Sequence, residues 1–200
     1  MGKQISAKDV SALRARTGAG MMDCKKALEE TGGNVDKAVE RLRAKGIAKA
    51  EKRAGRSASE GTIGSYIHHD GRLGVLVEVD CETDFVARTE DFQNLAKEVA
   101  LHVASANPIA VTAEEVPAEI VAKERAIFEA QAKESGKPEA VWPKIVEGRI
   151  KKFYQEQVLL EQPFVRDDKI TVGDLVKRVA GQVGENVVIR RFVRFKVGED

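Results

Sequence analysis

The spacing of apolar residues changes from three-and-four to two near Ile63, and this change decides what each part of the chain can fold into. Before it, Val10 and Leu13, then Met21, Cys24, Ala27 and Leu28, then Val35, Ala38, Val39 and Leu42 recur at helical intervals. Ser6 with Asp9 forms a capping box, Asn34 supplies another N-cap, and Gly18-Ala19-Gly20 and Gly32-Gly33 break the pattern between helices. Helices this short do not persist alone in water, so residues 1–46 are predicted to pack as a three-helix bundle around those apolar positions. Beyond Ile63, Leu73, Val75, Val77, Val79 and Cys81 alternate with Gly74, Leu76, Glu78 and Asp80. That is a half-buried strand, with Ile63 to His68 as its hairpin partner across His69-Asp70-Gly71-Arg72.

Helical spacing then returns. Thr89 is placed to cap a helix carrying Phe92, Leu95, Ala96, Val99, Ala100 and Val103. Thr112 and Glu115 form a capping box that predicts a helix up to Gly136, and a second long helix is predicted from Glu139 to Leu160, ended by Pro163. These two read as a helical hairpin over 113–160. After a turn at Asp167-Asp168-Lys169, Thr171 caps a further helix and a last strand spans Val187 to Val197. The expected fold class is α+β: a bundle over 1–46, a basic linker over 47–61, and an α/β core over 62–200 with a small antiparallel sheet of about three strands.

The chain holds 33 Lys and Arg against 32 Asp and Glu, but residues 1–56 carry a net charge of +7 and residues 57–200 a net of −6. Such a split predicts separate surfaces, one of which seeks an anionic partner. The cations Arg43, Lys45, Lys49, Lys52, Arg53 and Arg56 can neutralise phosphates, yet no aromatic residue lies among them to stack on a base. The segment reads first as a solvated linker with little tertiary contact. An RNA- or ribosome-binding role through 43–56 is the alternative, and no stable nucleic-acid partner is expected.

Other classes are poorly supported. No apolar run approaches the roughly 20 residues that span a bilayer, and Met1-Gly2-Lys3-Gln4 lacks the apolar core of a signal peptide, so a cytoplasmic protein is expected. Cys24 and Cys81 have no ligand spacing with His68, His69 or His102, so they read as reduced, buried thiols, with no metal or cofactor expected. There is no Gly-rich phosphate loop after a strand, no G-x-S-x-G and no H-E-x-x-H. Asp167-Asp168 and Glu114-Glu115 fall where turn and capping chemistry accounts for them. An enzyme is not expected.

Phe85 resists these ordinary readings, because it follows Glu82-Thr83-Asp84 in a turn where polar residues would serve. It is either a loop ring tucked onto the core or a ring meant for a partner. Leu13-Arg14-Ala15-Arg16-Thr17-Gly18-Ala19-Gly20-Met21-Met22-Asp23-Cys24-Lys25-Lys26-Ala27-Leu28 resembles the N-terminal signature of bacterial elongation factor Ts, and Glu82-Thr83-Asp84-Phe85-Val86-Ala87-Arg88 resembles its second. Glu161-Gln162-Pro163-Phe164-Val165 and the closing strand are similar to the family's C-terminal part. Two departures stand out: Asp80, where the family commonly has Asn, and a length that leaves room for one α/β unit where longer members carry two.

The resemblance implies a guanine nucleotide exchange factor for elongation factor Tu in translation elongation. It implies a ubiquitin-associated-like front bundle that docks on Tu through Arg14, Thr17, Gly18, Gly20, Met21, Met22 and Lys25. It also implies that Thr83, Asp84, Phe85 and Val86 act near the magnesium of the bound nucleotide. A chain with a single α/β unit is further expected to pair as a homodimer through its last strand, recovering the two-unit arrangement.

Overall fold

The computed structural model describes residues 5–199, and the chain folds as two compact units. Among the described residues the helices are α1 (Ala7–Thr17), α2 (Met21–Glu30), α3 (Val35–Glu51), α4 (Asp84–Ala87), α5 (Glu90–Ala106), α6 (Ala118–Glu134), α7 (Trp142–Gln157) and α8 (Val172–Val183). The strands are β1 (Glu60–Ile67), β2 (Leu73–Cys81), β3 (Pro163–Phe164), β4 (Asp167–Thr171) and β5 (Val188–Lys196). The fold class is α+β, with a small antiparallel sheet in the order β1-β2-β5. No described helix is long and apolar enough to cross a membrane.

Among the described residues the first unit combines 5–61 with 80–92 and 176–188. Its bundle core is most of the apolar set of the helical pattern: Val10, Leu13, Cys24, Ala27, Leu28, Ala38 and Leu42 are buried and Val39 packs partly buried against them, whereas Met21 and Val35, at the first position of α2 and of α3, are exposed. Ser6 caps α1 with the reciprocal Asp9 bonds of a capping box, and Asn34 accepts the Lys37 N–H to cap α3. Gly18 ends α1 with a φ of 67°, a left-handed turn that a residue without Cβ makes at no steric cost.

The expected loose linker is largely built into this unit. Residues 47–51 complete α3, Ala50 is buried, Lys177 pairs with Glu51 at 3.3 Å, and the Arg56 carbonyl accepts a bond from Asn186 Nδ2 at 2.8 Å. A Cβ on Gly181 would lie 2.8 Å from the Gly46 carbonyl oxygen, so two glycines let α3 and the second half of α8 touch backbone to backbone. Such contacts join residues about 130 apart in sequence. No local composition signal reports them.

The second unit holds most of the sheet, α5, and the hairpin. On β2, Val75, Val77 and Val79 are buried, as the period of two requires, and on α5 Phe92, Leu95, Ala96, Val99, Ala100 and Val103 form the buried stripe. Gly64 faces α5, where an added Cβ would meet the Ala96 carbonyl oxygen at 2.4 Å. The opposite sheet face carries Ile63, Ile67, Leu76, Val193 and Phe195, all exposed. A Cβ added at Gly74 would lie 3.1 Å from Ile67 Cδ1, and Arg191 pairs with Glu78 between β5 and β2, which places these three strands' outward positions on one face.

The hairpin differs from expectation at both ends. The Thr112-Glu115 box produces only a 3₁₀ turn over Ala113–Glu115; Glu115 instead accepts the Val111 N–H at 3.1 Å, and α6 begins after Pro117. α7 ends at Gln157 because Val158 turns extended and forms a parallel bridge to Ala110. Ala132, Val146 and Ile150 form the seam between α6 and α7, with Phe128 and Trp142 at its rim. The expected turn at Asp167-Asp168-Lys169 is the start of β4, paired antiparallel with β3. Two-residue strands such as β3 leave too short an alternation to read in sequence.

His102 on α5 is buried, and its neighbours determine its tautomer. The Val165 N–H donates to Nδ1 at 3.2 Å, so the ring proton is on Nε2 and donates to Gln162 Oε1 at 2.9 Å. Burial lowers the His102 pKa from its ordinary 6.5, partly offset by the Gln162 bond. A second ring proton on Nδ1 would oppose the Val165 N–H. Because the folded pKa is depressed, the neutral ring's contribution is complete above about pH 6.5 and is lost as pH falls from there through the folded value. Denaturant melts should therefore show midpoints that decline between pH 7 and pH 5, and His102→Gln should flatten that slope; an unchanged slope in the variant would remove His102 from the account.

Candidate functional site

The second signature becomes a short helix rather than the turn expected from its aperiodic sequence. Thr83 is extended and N-caps α4, its hydroxyl accepting the Val86 N–H at 3.4 Å. Asp84 and Arg88 form an exposed (i, i+4) pair at 2.8 Å, so the Asp84 carboxylate has a partner within its own turn. Val86 and Ala87 are buried and fasten the inner side of the turn. Phe85 points the other way and is 80% exposed. Of its two readings, the tucked core ring is excluded.

The turn is held from a distance in sequence. Glu185, between α8 and β5, accepts the backbone N–H of Glu82 and of Thr83 on Oε2, each at 3.0 Å, and the Thr83 hydroxyl on Oε1 at 2.7 Å. In return Glu82 Oε1 accepts the Asn186 N–H at 2.7 Å, and Glu82 Oε2 lies 3.5 Å from Arg56. Three donors on one carboxylate occupy most of its acceptor sites and orient the Thr83 cap. Cys81 adds a bond from its thiol to the Thr83 carbonyl at 3.2 Å. Burial, and then the nearby Glu185 charge, push that thiol up to about 11, so it remains a protonated donor.

Glu185 and Asn186 are absent from the sequence-derived site. The only local sign is the preceding Gly184, with a φ of 82°, which marks a tight exit from α8 but says nothing of what the next carboxylate reaches. Its partners lie more than 100 positions upstream.

The expected docking residues gather at the α1–α2 corner. Arg14, Gly18, Gly20 and Lys25 are exposed, Thr17 is half-buried, and Met21 and Met22 are exposed at 43% and 76%. The corner is stiff underneath: the Thr17 hydroxyl donates to the Leu13 carbonyl at 2.8 Å, the Cys24 thiol donates to the Ala19 carbonyl at 3.6 Å, and Gln182 Nε2 donates to the Thr17 carbonyl at 3.0 Å. Two unbranched, polarisable thioethers on such a frame make an adaptable apolar contact. Among the described residues no group of three or more His, Cys, Asp or Glu is arranged to hold a metal ion.

The chain is similar to known proteins along nearly its whole length. The family described as Elongation factor TS matches residues 3–199. Elongation factor Ts of Solidesulfovibrio magneticus is 62% identical over 196 residues, covering 98% of each chain. Elongation factor Ts of Nitratidesulfovibrio vulgaris is 58% identical with the same coverage, and that of Moorella thermoacetica is 58% identical over 98% of this chain and 96% of its own. The chain belongs to this family and is a translation elongation factor.

The Glu185 contacts carry their own test. Glu185→Ala leaves two turn amides and the Thr83 hydroxyl without their acceptor, a loss of about 1 to 3 kcal/mol for each group that stays buried. The Glu82–Arg88 amides should exchange hydrogen markedly faster in this variant while those of the α6–α7 seam keep their protection; equal protection at the turn would mean that Glu185 does not order it.

Proposed function

We propose that this chain is a guanine nucleotide exchange factor for elongation factor Tu, docking through the α1–α2 corner and disturbing the Mg²⁺ and phosphate site of Tu·GDP with the Thr83–Val86 turn. The observation that carries the reading is Phe85: an aromatic ring 80% exposed on a turn whose backbone is held by Glu185. An exposed ring is poorly placed in water and gains by entering a partner pocket, where a buried aromatic anchor is worth about 2 kcal/mol or more. A rigid mount lets that gain be spent on moving the partner rather than on ordering the loop.

GDP in such GTPases is held by phosphate-loop amides and by Mg²⁺ bridging phosphate oxygens, so displacing the elements that position the ion weakens all of these contacts. A factor that lowers nucleotide affinity by some ratio is expelled by nucleotide in the same ratio, which allows GTP to complete the cycle. No covalent bond is made or broken, so the protein is not an enzyme in the chemical sense. Asp84 contributes charge beside the ring. With Arg88 as its partner it offers one carboxylate oxygen at most, too little to hold Mg²⁺ in its own octahedral shell.

The homodimer reading is supported by the sheet. Outward positions of three adjacent strands carry Ile63, Ile67, Leu76, Val193 and Phe195, the last 69% exposed, and such a contiguous apolar face belongs against something. The contact surface is therefore wider than the last strand alone.

In a fluorescent-GDP release assay at saturating factor, Phe85→Ala should lose at least about tenfold in rate while retaining binding through the front corner, and Asp84→Asn should lose less. A normal rate for Phe85→Ala would sink the wedge assignment. Sedimentation at micromolar concentration should give about twice the 21.9 kDa chain mass, and Phe195→Glu should return the protein to a monomer with an unchanged melt. A monomeric parent protein would end the dimer reading.

A further inference from the structure

A groove of about 490 Å³ within the first unit borders the proposed docking corner at Thr17, Gly18 and Gly20, but its basic wall is not used in the function proposed above. Its walls carry six cations, Arg16, Arg43, Lys45, Lys49, Arg53 and Arg178, against one carboxylate, Asp23. Asp23 is already shared between Lys45 Nζ at 2.7 Å and Lys49 Nζ at 2.8 Å, and these bonds hold its carboxyl down at about 2. Arg16 turns to Asp36 at 3.1 Å. Arg43 and Arg53 have no ion pair among the described residues, and Arg53 Nη1 is buried with no hydrogen-bond partner.

Concentrating like charge in a concavity, and burying part of a guanidinium without an acceptor, is unfavourable in the empty protein. A ligand that brings negative charge removes both penalties together. At the groove's mouth Gly20 N-caps α2 with no side-chain oxygen, so the first amides of a ten-residue helix also lack a cap there. The lining has no aromatic residue, so a base has no stacking platform and recognition falls to the phosphate.

We propose that this groove binds a phosphate-bearing anion, with Arg43 and Arg53 as its principal contacts and the Gly20 end of α2 at its mouth. Two sources share this chemistry: a small polyphosphate held inside the groove, and an RNA backbone that crosses it. The assignment is independent of the Phe85 reading and is tested without Tu.

The full chain would be titrated calorimetrically with inorganic tripolyphosphate and, separately, with a short oligouridylate, at about 50 mM and about 200 mM salt. Arg43→Ala and Arg53→Ala should each weaken tripolyphosphate binding about tenfold, whereas Lys123→Ala, an exposed cation on α6, should leave it unchanged. Arg43 is exposed, so its variant separates loss of the site from loss of the fold. Tripolyphosphate should also raise the melting temperature of the parent chain and not that of the double variant. Oligouridylate binding no tighter than tripolyphosphate assigns an enclosed small anion, and much tighter binding with a steeper salt dependence assigns the RNA backbone; either result supports the site. Binding of neither probe, or equal weakening by Lys123→Ala, overturns it.

Discussion

The Glu185 carboxylate, accepting the Glu82 and Thr83 amides and the Thr83 hydroxyl, is the interaction on which the arrangement of the signature turn rests. A turn that leaves β2 and immediately starts a four-residue helix has few bonds of its own, because α4 is too short for more than one complete helical bond. Without an external acceptor its first amides would be free and Phe85 would sweep a wide volume. The carboxylate satisfies those donors from a segment more than 100 residues later, and the Glu82 side chain answers by accepting the Asn186 amide. The two segments therefore cap each other.

This reciprocal arrangement explains why an apolar ring can be displayed on so short a turn. Val86 and Ala87 are buried on one side, and Thr83 is held by Glu185 on the other, which leaves Phe85 only the outward direction. The α1–α2 corner follows a related logic. Thr17, Cys24 and Gln182 each bond to a carbonyl of the corner, so Met21 and Met22 project from a backbone that is already satisfied. In both places exposed apolar atoms stand on stiff polar supports. A surface built this way loses little conformational entropy on meeting a partner.

The charge asymmetry has a physical form that composition alone cannot supply. The six cations of the groove come from α1, α3 and its continuation, and α8, so Arg178 joins residues that precede it by more than 120 positions. In the sequence they read as a solvated run. In the folded unit they share one concavity, with Asp23 engaged by two lysines and Arg53 partly buried without a partner.

The periodic elements were legible in sequence because each depends on neighbours within one or two turns: the bundle core, the caps at Ser6, Asn34, Thr89 and Thr171, the alternating face of β2 and the stripe on α5 all came from spacing. The two signature motifs and the +7 charge of residues 1–56 were equally plain, since both are properties of contiguous residues. Only tertiary structure decided which way Phe85 faces, that Glu185 and Asn186 hold its turn, that the expected linker is tied to Lys177 through Glu51 and to Asn186 through the Arg56 carbonyl, and that α7 stops at Gln157 so that Val158 can bridge to Ala110. Each of those is a pairing between segments far apart in the chain, and the free energy of such a contact is a function of distance in space, which spacing along a sequence does not encode.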